Sequence, residues 1–154
     1  SAEVRFTPDR DGVYLLVVES GNNSHGIELL SGQRHAYAAR DGQRLTVNGV
    51  LGRLYFLVPQ GTGSFGLFAK AEGQAPGRGG KLTLFGPDGT ARAHLEGALG
   101  TLAEMPVQAP PEAQGRVWCL SGEELSNDLT LYFSPGFASP YVTPNQAKVL
   151  TTRP

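Results

Sequence analysis

The chain has 154 residues, the size of one ordinary domain, and its thirteen basic and fourteen acidic residues give a formal net charge of −1. This balance excludes strong attraction to nucleic acid or to an anionic membrane, and no apolar run approaches the roughly 18 residues of a transmembrane helix. The one cysteine, Cys119, excludes an internal disulfide and leaves the cellular compartment open. We expect a single domain over residues 1–154. The start at Ser1, without Met, predicts a processed product or a piece cut from a longer protein.

Glycine and proline, 21 and 11 residues respectively, separate short apolar runs without a fixed period. Such punctuation predicts many short strands joined by turns. In chain order, the predicted strands are 3–6, 13–20, 26–30, 35–39, 44–47, 53–58, 64–71, 81–86, 90–96, 115–120 and 128–134.

The predicted strands follow two patterns. Residues 81–86 and 128–134 alternate apolar and polar side chains, as half-buried strands do. The runs VYLLVV and LYFLV are apolar at every position, which predicts central strands covered on both faces. The segment FGPDGTA predicts a hairpin between the strands 81–86 and 90–96.

A helix is predicted only at 143–150, with Thr143 as its cap and Pro144 at its first position. The chain is therefore predicted to be all-β, a β-sandwich of about ten short antiparallel strands. A jelly roll is favoured over an immunoglobulin-type topology, because the strands outnumber the usual seven to nine.

Gly61, Gly63 and Gly66 spell G-x-G-x-x-G after an apolar strand, the written form of a dinucleotide-binding fingerprint. A working fingerprint needs a helix that begins at the glycines and points its N–H groups at a pyrophosphate. Here Gly66 and Gly73 break any such helix, and Lys81 stands near the position of the acidic ribose ligand. We therefore interpret the glycines as a turn between two strands, with Gly66 inside the second strand.

No catalytic motif is visible, and the chain is predicted not to be an enzyme. Ser24 and His25 are adjacent, so in a strand they point to opposite faces, and no G-x-S-x-G occurs. Cys119 lies in an apolar strand and is interpreted as a small buried hydrophobic residue. Dispersed carboxylates leave open a β-sandwich hydrolase or lyase; these are Glu28, Glu104, Glu123 and Glu124.

No metal and no cofactor are predicted. The three histidines share no metal-ligand spacing. Asp9, Asp11 and Asp128 offer carboxylates to calcium, although ordinary turn aspartates explain the same residues, so a structural calcium ion stays open.

Aromatic rings in polar loops are candidates for stacking on sugars. Trp118 shares a strand face with Leu120 and is expected in the core. Tyr37 lies among polar and charged residues that suit a sugar-binding loop, although a solvated hairpin has the same composition; the predicted ligand-binding residues are Tyr37, Arg34, His35, Arg40, Asp41 and Tyr141. Phe137 is a further ring in a loop setting.

Two segments resemble a known kind of domain. RLYFLVPQGTGSFGLFAKAEG, with KLTLFGPDGTARA after it, is similar to pre-peptidase C-terminal-type domains and to carbohydrate-binding-module-like jelly-roll accessory domains of bacterial secreted enzymes. GRVWCLSGEELSNDLTLYF, followed by FASPYVTPNQAKVL, resembles the closing part of such domains, in which the Trp packs in the core and a Pro-aromatic segment runs outside. The likeness covers roughly residues 50–150. The acidic strand of many pre-peptidase domains is missing from KLTLFG.

The resemblance implies a non-catalytic β-sandwich attached to a secreted bacterial glycoside-degrading enzyme, outside the cell or at its surface. The expected partners are a polysaccharide or oligosaccharide and the catalytic domain of the same parent chain, with no nucleic acid and no membrane insertion. The alternative is a purely structural or secretion-assisting module without a ligand.

Overall fold

The computed structural model describes residues 5–10, 12–17, 34–47, 51–71, 80–97, 99–125 and 128–151. The chain forms two compact units, Ser1–Gly32 and Gln33–Pro154. The predicted strand at 26–30 lies outside the described residues, and so do Ser24, His25 and Glu28.

In the first unit, the prediction of a central strand at 13–20 is wrong for the residues described. Residues 13–17 form no strand, and their apolar side chains are exposed, Leu16 to 65%. The order present is local, because the Tyr14 hydroxyl donates to Asp9 Oδ1 at 2.6 Å and the Tyr14 ring contacts Phe6 edge-on at 5.0 Å. An apolar run becomes a strand only where neighbouring strands bond to its backbone, so the apolar composition of 13–17 was not enough to predict a strand.

The second unit contains ten strands among its described residues, and the all-β prediction is confirmed. Their bounds are β1 Tyr37–Ala38, β2 Leu45–Val47, β3 Arg53–Val58, β4 Ser64–Ala71, β5 Gly80–Phe85, β6 Ala91–Gly97, β7 Ala103–Gln108, β8 Arg116–Glu123, β9 Leu129–Phe133 and β10 Tyr141–Val142.

The strands form two four-stranded sheets and one short ribbon, and every strand pairing is antiparallel. One sheet has the order β2-β9-β4-β7, the other β3-β8-β5-β6, and β1 pairs with β10. Alternate side chains of both sheets meet in one apolar cluster. The second unit is therefore a β-sandwich, as predicted.

Aromatic rings fill the space between the sheets. Trp118 on β8 is fully buried, as predicted, and its Nε1 donates to the carbonyl of Ala113 at 2.9 Å. Phe56 on β3 contacts Phe65 on the opposite sheet, with ring centroids 6.1 Å apart. Because the indole N–H has a partner, the core buries its largest side chain without an unsatisfied donor.

Strand β7 was not predicted, because Pro106 lies in its middle. Pro106 pairs with Gly66, whose N–H and carbonyl both bond to Ser134 on the other side of β4. In such a pair the nitrogen of Pro106 points away from β4, toward the open edge of the sheet. Proline is tolerated there because no ladder hydrogen bond is lost.

Strand β3 is apolar on both faces although it is an edge strand, so its predicted central position is wrong. The C-terminal segment lies beside it, and Tyr55 and Thr143 exchange backbone hydrogen bonds of 2.8 and 2.9 Å. This segment protects the edge that the sheet itself leaves open.

The same pairing prevents the helix predicted at 143–150. The Thr143 carbonyl accepts from the Tyr55 N–H and so cannot accept the first hydrogen bond of a helix, and only a single 3-10 turn forms, Gln146–Lys148. Asn145 caps that turn, because its Oδ1 accepts from the N–H of Ala147 at 3.0 Å. Among the described residues, no helix is long and apolar enough to cross a membrane.

Candidate functional site

The glycine motif forms a turn followed by a strand, which confirms the interpretation from sequence. Gly61 takes a φ of 85°, and β4 begins at Ser64, where a phosphate-binding loop would begin a helix. The N–H of Gly61 donates to Oε1 of Gln114 at 2.9 Å, so the protein itself occupies this donor. The loop therefore lacks the helix N-terminus that a pyrophosphate requires.

Gly66 lies within β4 where a neighbouring side chain approaches the backbone, as the sequence predicted. A Cβ on Gly66 would stand 2.6 Å from Oε1 of Glu104 and 3.4 Å from Cβ of Ser134. The Ser134 hydroxyl accepts from the Gly66 N–H at 2.9 Å. The missing side chain thus makes room for the Glu104 carboxylate.

A tight hairpin turn positions two of the predicted binding residues. Arg40 and Gln43 exchange backbone hydrogen bonds of 3.1 and 2.9 Å across Asp41 and Gly42, and Gly42 supplies a φ of 81°. The Arg40 side chain is held as well, because its Nε donates to Oε1 of Gln43 at 2.6 Å. Asp41 forms an ion pair with Arg44 at 3.5 Å.

Beside this hairpin runs an open groove of about 390 Å³, here called the arginine groove. One wall carries Arg40 and Asp41, and the other consists of the turn 134–138 after β9. Pro140 and Tyr141 complete the lining. The groove thus gathers three of the six predicted binding residues, which are Arg40, Asp41 and Tyr141.

The other three predicted residues do not line this groove. Tyr37 lies opposite Val142 in the β1–β10 ribbon, whereas Tyr141 lies opposite Ala38. Successive residues of a strand alternate between faces, so the Tyr37 and Tyr141 rings lie on opposite faces of the ribbon. Arg34 and His35 precede β1, and Nη1 of Arg34 lies 3.5 Å from the Thr151 hydroxyl.

Phe137 is a core residue and not a loop ring open to solvent. It is 8% exposed and stacks on Phe133, with ring centroids 4.5 Å apart and 25° between the planes. Its ring also lies 4.7 Å from that of Phe65. Phe137 therefore anchors the turn 134–138 to the core and makes it a firm ridge above the arginine groove.

A second open groove, of about 410 Å³, lies on the other side of the same ridge and is here called the hydroxyl groove. Its second wall is the glycine loop 61–65. Three of its lining residues carry hydroxyl groups, Thr62, Ser64 and Ser134, and none of its lining residues is charged.

The nucleophile candidate Cys119 is half-buried, on the outer face of its sheet and not in the core as expected. It alternates with Trp118 and Leu120, and Tyr55 and Phe85 lie opposite it on the two neighbouring strands. Burial raises the pKa of the Cys119 thiol, against smaller lowering effects from Arg53 and Tyr55. At neutral pH the thiol is protonated and a poor nucleophile.

Two of the dispersed carboxylates belong to strands of different sheets. Glu104 on β7 and Glu123 on β8 are exposed on the outer faces of opposite sheets. Searched over the same described residues, no group of three or more His, Cys, Asp or Glu side chains could hold a metal ion. Of the calcium candidates, Asp11 lies outside the described residues, and Asp9 accepts from Tyr14.

Sequence reasoning missed the turn 134–138, although it forms a wall of both grooves. The letters SPGFA carry the Pro-Gly signal of a tight turn, and Gly136 takes a φ of 86°. What the letters do not show is that Phe137 turns inward.

No protein-family model, no curated protein and no solved structure matches this chain.

Proposed function

We propose that this chain is a non-catalytic accessory module that binds polysaccharide in the arginine groove. The observation that carries the proposal is the convergence of Arg40, Asp41 and Tyr141 on one groove from two distant parts of the chain. At about 390 Å³, the groove has the size of a small-molecule site. The groove offers a ring surface, guanidinium donors and carboxylate acceptors, the groups that hydrogen-bond and stack on sugars.

The hairpin supports the proposal because it holds these groups before a ligand arrives. Arg40 is bonded to Gln43, and Asp41 accepts from the Gly42 N–H at 3.1 Å while it pairs with Arg44. A site held in this way loses less conformational entropy on binding. Attachment to a secreted bacterial glycoside-degrading enzyme rests on the sequence resemblance alone.

The finer fold assignment belongs to the same proposal. A double-sheet jelly roll has eight strands in two sheets, and strands β2 to β9 fill two sheets of four. The orders β2-β9-β4-β7 and β3-β8-β5-β6 support a jelly roll.

A pair of tyrosine variants tests the function. We expect Tyr141→Ala to lose retention in affinity gels containing soluble polysaccharides, whereas Tyr37→Ala, on the opposite face of the same ribbon, keeps it. A glycan array with the unmodified chain identifies which polysaccharides to use. If the unmodified chain binds nothing on the array and is retarded in no gel, the proposal is wrong. If both variants lost retention equally, the arginine groove would not be the site that binds the polysaccharide.

A further inference from the structure

The hydroxyl groove and the arginine groove share one wall. Residues 134–138 line both, with the hydroxyl groove on the side of the glycine loop and the arginine groove on the side of the hairpin. The ridge is fixed to the core, because the Phe137 ring stacks on Phe133 and makes a tilted contact with Phe65. A ligand longer than one groove therefore meets the second groove as soon as it crosses the ridge.

The opposite wall of the hydroxyl groove is held in place by hydrogen bonds to the rest of the sandwich. The Gly61 N–H donates to Gln114, and the Gly63 carbonyl accepts from the Ala109 N–H at 2.9 Å. The Thr62 N–H donates to the Pro59 carbonyl at 3.2 Å. These bonds fix the wall, and two of its residues, Thr62 and Ser64, carry hydroxyl groups.

This lining selects the chemistry of the ligand. Anions are held most strongly by cationic side chains, and no residue that lines the hydroxyl groove carries a positive charge. Hydroxyl groups both donate and accept, so they suit a ligand that is itself uncharged and polyhydroxylated. The charged side chains that line the two grooves, Arg40 and Asp41, both belong to the arginine groove.

We infer that the hydroxyl groove is a second subsite, which binds uncharged sugar units of the same polysaccharide chain that occupies the arginine groove. The inference rests on the proposed function and makes it more specific, since the ligand is then a chain crossing the 134–138 ridge. Its affinity rises with length until both grooves are filled.

Filling the hydroxyl groove tests the inference. Gly63 lines the groove, a Cβ there meets no atom within 4 Å, and Gly63 does not take a positive φ, so we expect the indole of Gly63→Trp to obstruct the groove without a clash at its Cβ. The matched control is Gly52→Trp, because Gly52 is equally open and lines neither groove. Calorimetry with cello-, xylo- and manno-oligosaccharides, from disaccharide to hexasaccharide, measures the affinity of each protein.

We expect Gly63→Trp to weaken hexasaccharide binding about tenfold, the loss of one or two hydrogen bonds, and to leave disaccharide binding unchanged. Gly52→Trp should match the unmodified chain at every length. If Gly63→Trp binds hexasaccharides normally while Tyr141→Ala does not, the second subsite is wrong and the proposed function stands. If oligogalacturonides bind more tightly than neutral chains and Gly63→Trp weakens their binding, the hydroxyl groove binds charged sugar units and the inference of an uncharged ligand is wrong. If the unmodified chain binds no oligosaccharide, both proposals fail.

Discussion

The side chain of Gln114 joins two segments that are far apart in the sequence, because its Oε1 accepts from Gly61 at 2.9 Å and its Nε2 donates to the carbonyl of Ala109 at 2.8 Å. Gly61 belongs to the turn after β3, and Ala109 follows β7. One amide thus satisfies a donor in the loop between β3 and β4 and an acceptor in the loop between β7 and β8.

The first prediction concerns this amide. Gln114→Ala should lower the free energy of unfolding by about 1–3 kcal/mol, because it leaves the buried Ala109 carbonyl without its partner. Gln114→Glu should fall between Gln and Ala, since its carboxylate still accepts from Gly61 but repels the Ala109 carbonyl. Urea denaturation measures all three proteins. Unchanged stability in Gln114→Ala would show that water replaces both bonds at no cost.

The second prediction uses a glycine in a crowded strand. A Cβ on Gly122 would lie 2.5 Å from Cδ1 of Leu125 and 3.1 Å from Cβ of Leu51, and the latter atom cannot move without its backbone. We expect Gly122→Ala to destabilise the fold by about 1–3 kcal/mol. Thermal unfolding followed by circular dichroism is a suitable measurement.

The control for Gly122→Ala is Gly100→Ala. Gly100 meets no atom within 4 Å and does not take a positive φ. Alanine has less conformational entropy than glycine in the unfolded chain. We therefore expect Gly100→Ala to leave the free energy of unfolding unchanged or to raise it by up to about 1 kcal/mol. Equal losses at the two positions would contradict the packing explanation.

The third prediction concerns pH and the hairpin between β5 and β6. The Thr90 N–H, followed by weaker effects that include Arg92, holds the pKa of the Asp88 carboxyl below its ordinary value of 3.8. Because the pKa is lowered in the folded state, the stabilisation is complete above that ordinary value. It is lost as the pH falls through the lower, folded pKa.

NMR titration of the Asp88 carboxyl carbon measures this shift. In Arg92→Gln the pKa should rise but stay below 3.8, since the Thr90 N–H is the largest cause. Asp88→Asn keeps an acceptor for the Thr90 N–H but cannot be protonated in this range, so the hairpin should no longer lose stability as the pH falls through the Asp88 pKa. An Asp88 pKa at or above 3.8 in the unmodified chain would contradict the prediction.

The fourth prediction concerns Cys119. Because burial raises the pKa of its thiol, alkylation by iodoacetamide at neutral pH should be much slower in the folded chain than in the urea-unfolded chain. The rate in the folded chain should keep rising with pH past the thiol's ordinary value of 9.0. Mass spectrometry at timed intervals measures both rates. Equal rates in the folded and unfolded chains at neutral pH would refute a raised pKa.

The amino-acid pattern alone determined most of the strands. β3 and β4 begin and end where the apolar runs 53–58 and 64–71 do. Trp118 is buried, as its position on the same strand face as Leu120 predicts. These features depend on period and turn chemistry, which are local properties of the chain. The turn character of the glycine loop was equally local, since the glycines inside the next run exclude a helix.

The tertiary structure decided which apolar runs became strands and which polar residues met. Residues 13–17 have the composition of a strand and form none, whereas β7 forms around Pro106 because its nitrogen faces an open edge. Arg40 and Tyr141 reach one groove through the pairing of β1 with β10, and the same pairing directs Tyr37 to the other face. Phe137 looked like a loop ring and became the anchor of the ridge. Contacts between residues a hundred positions apart depend on strand order and register, and no local pattern of letters carries that information.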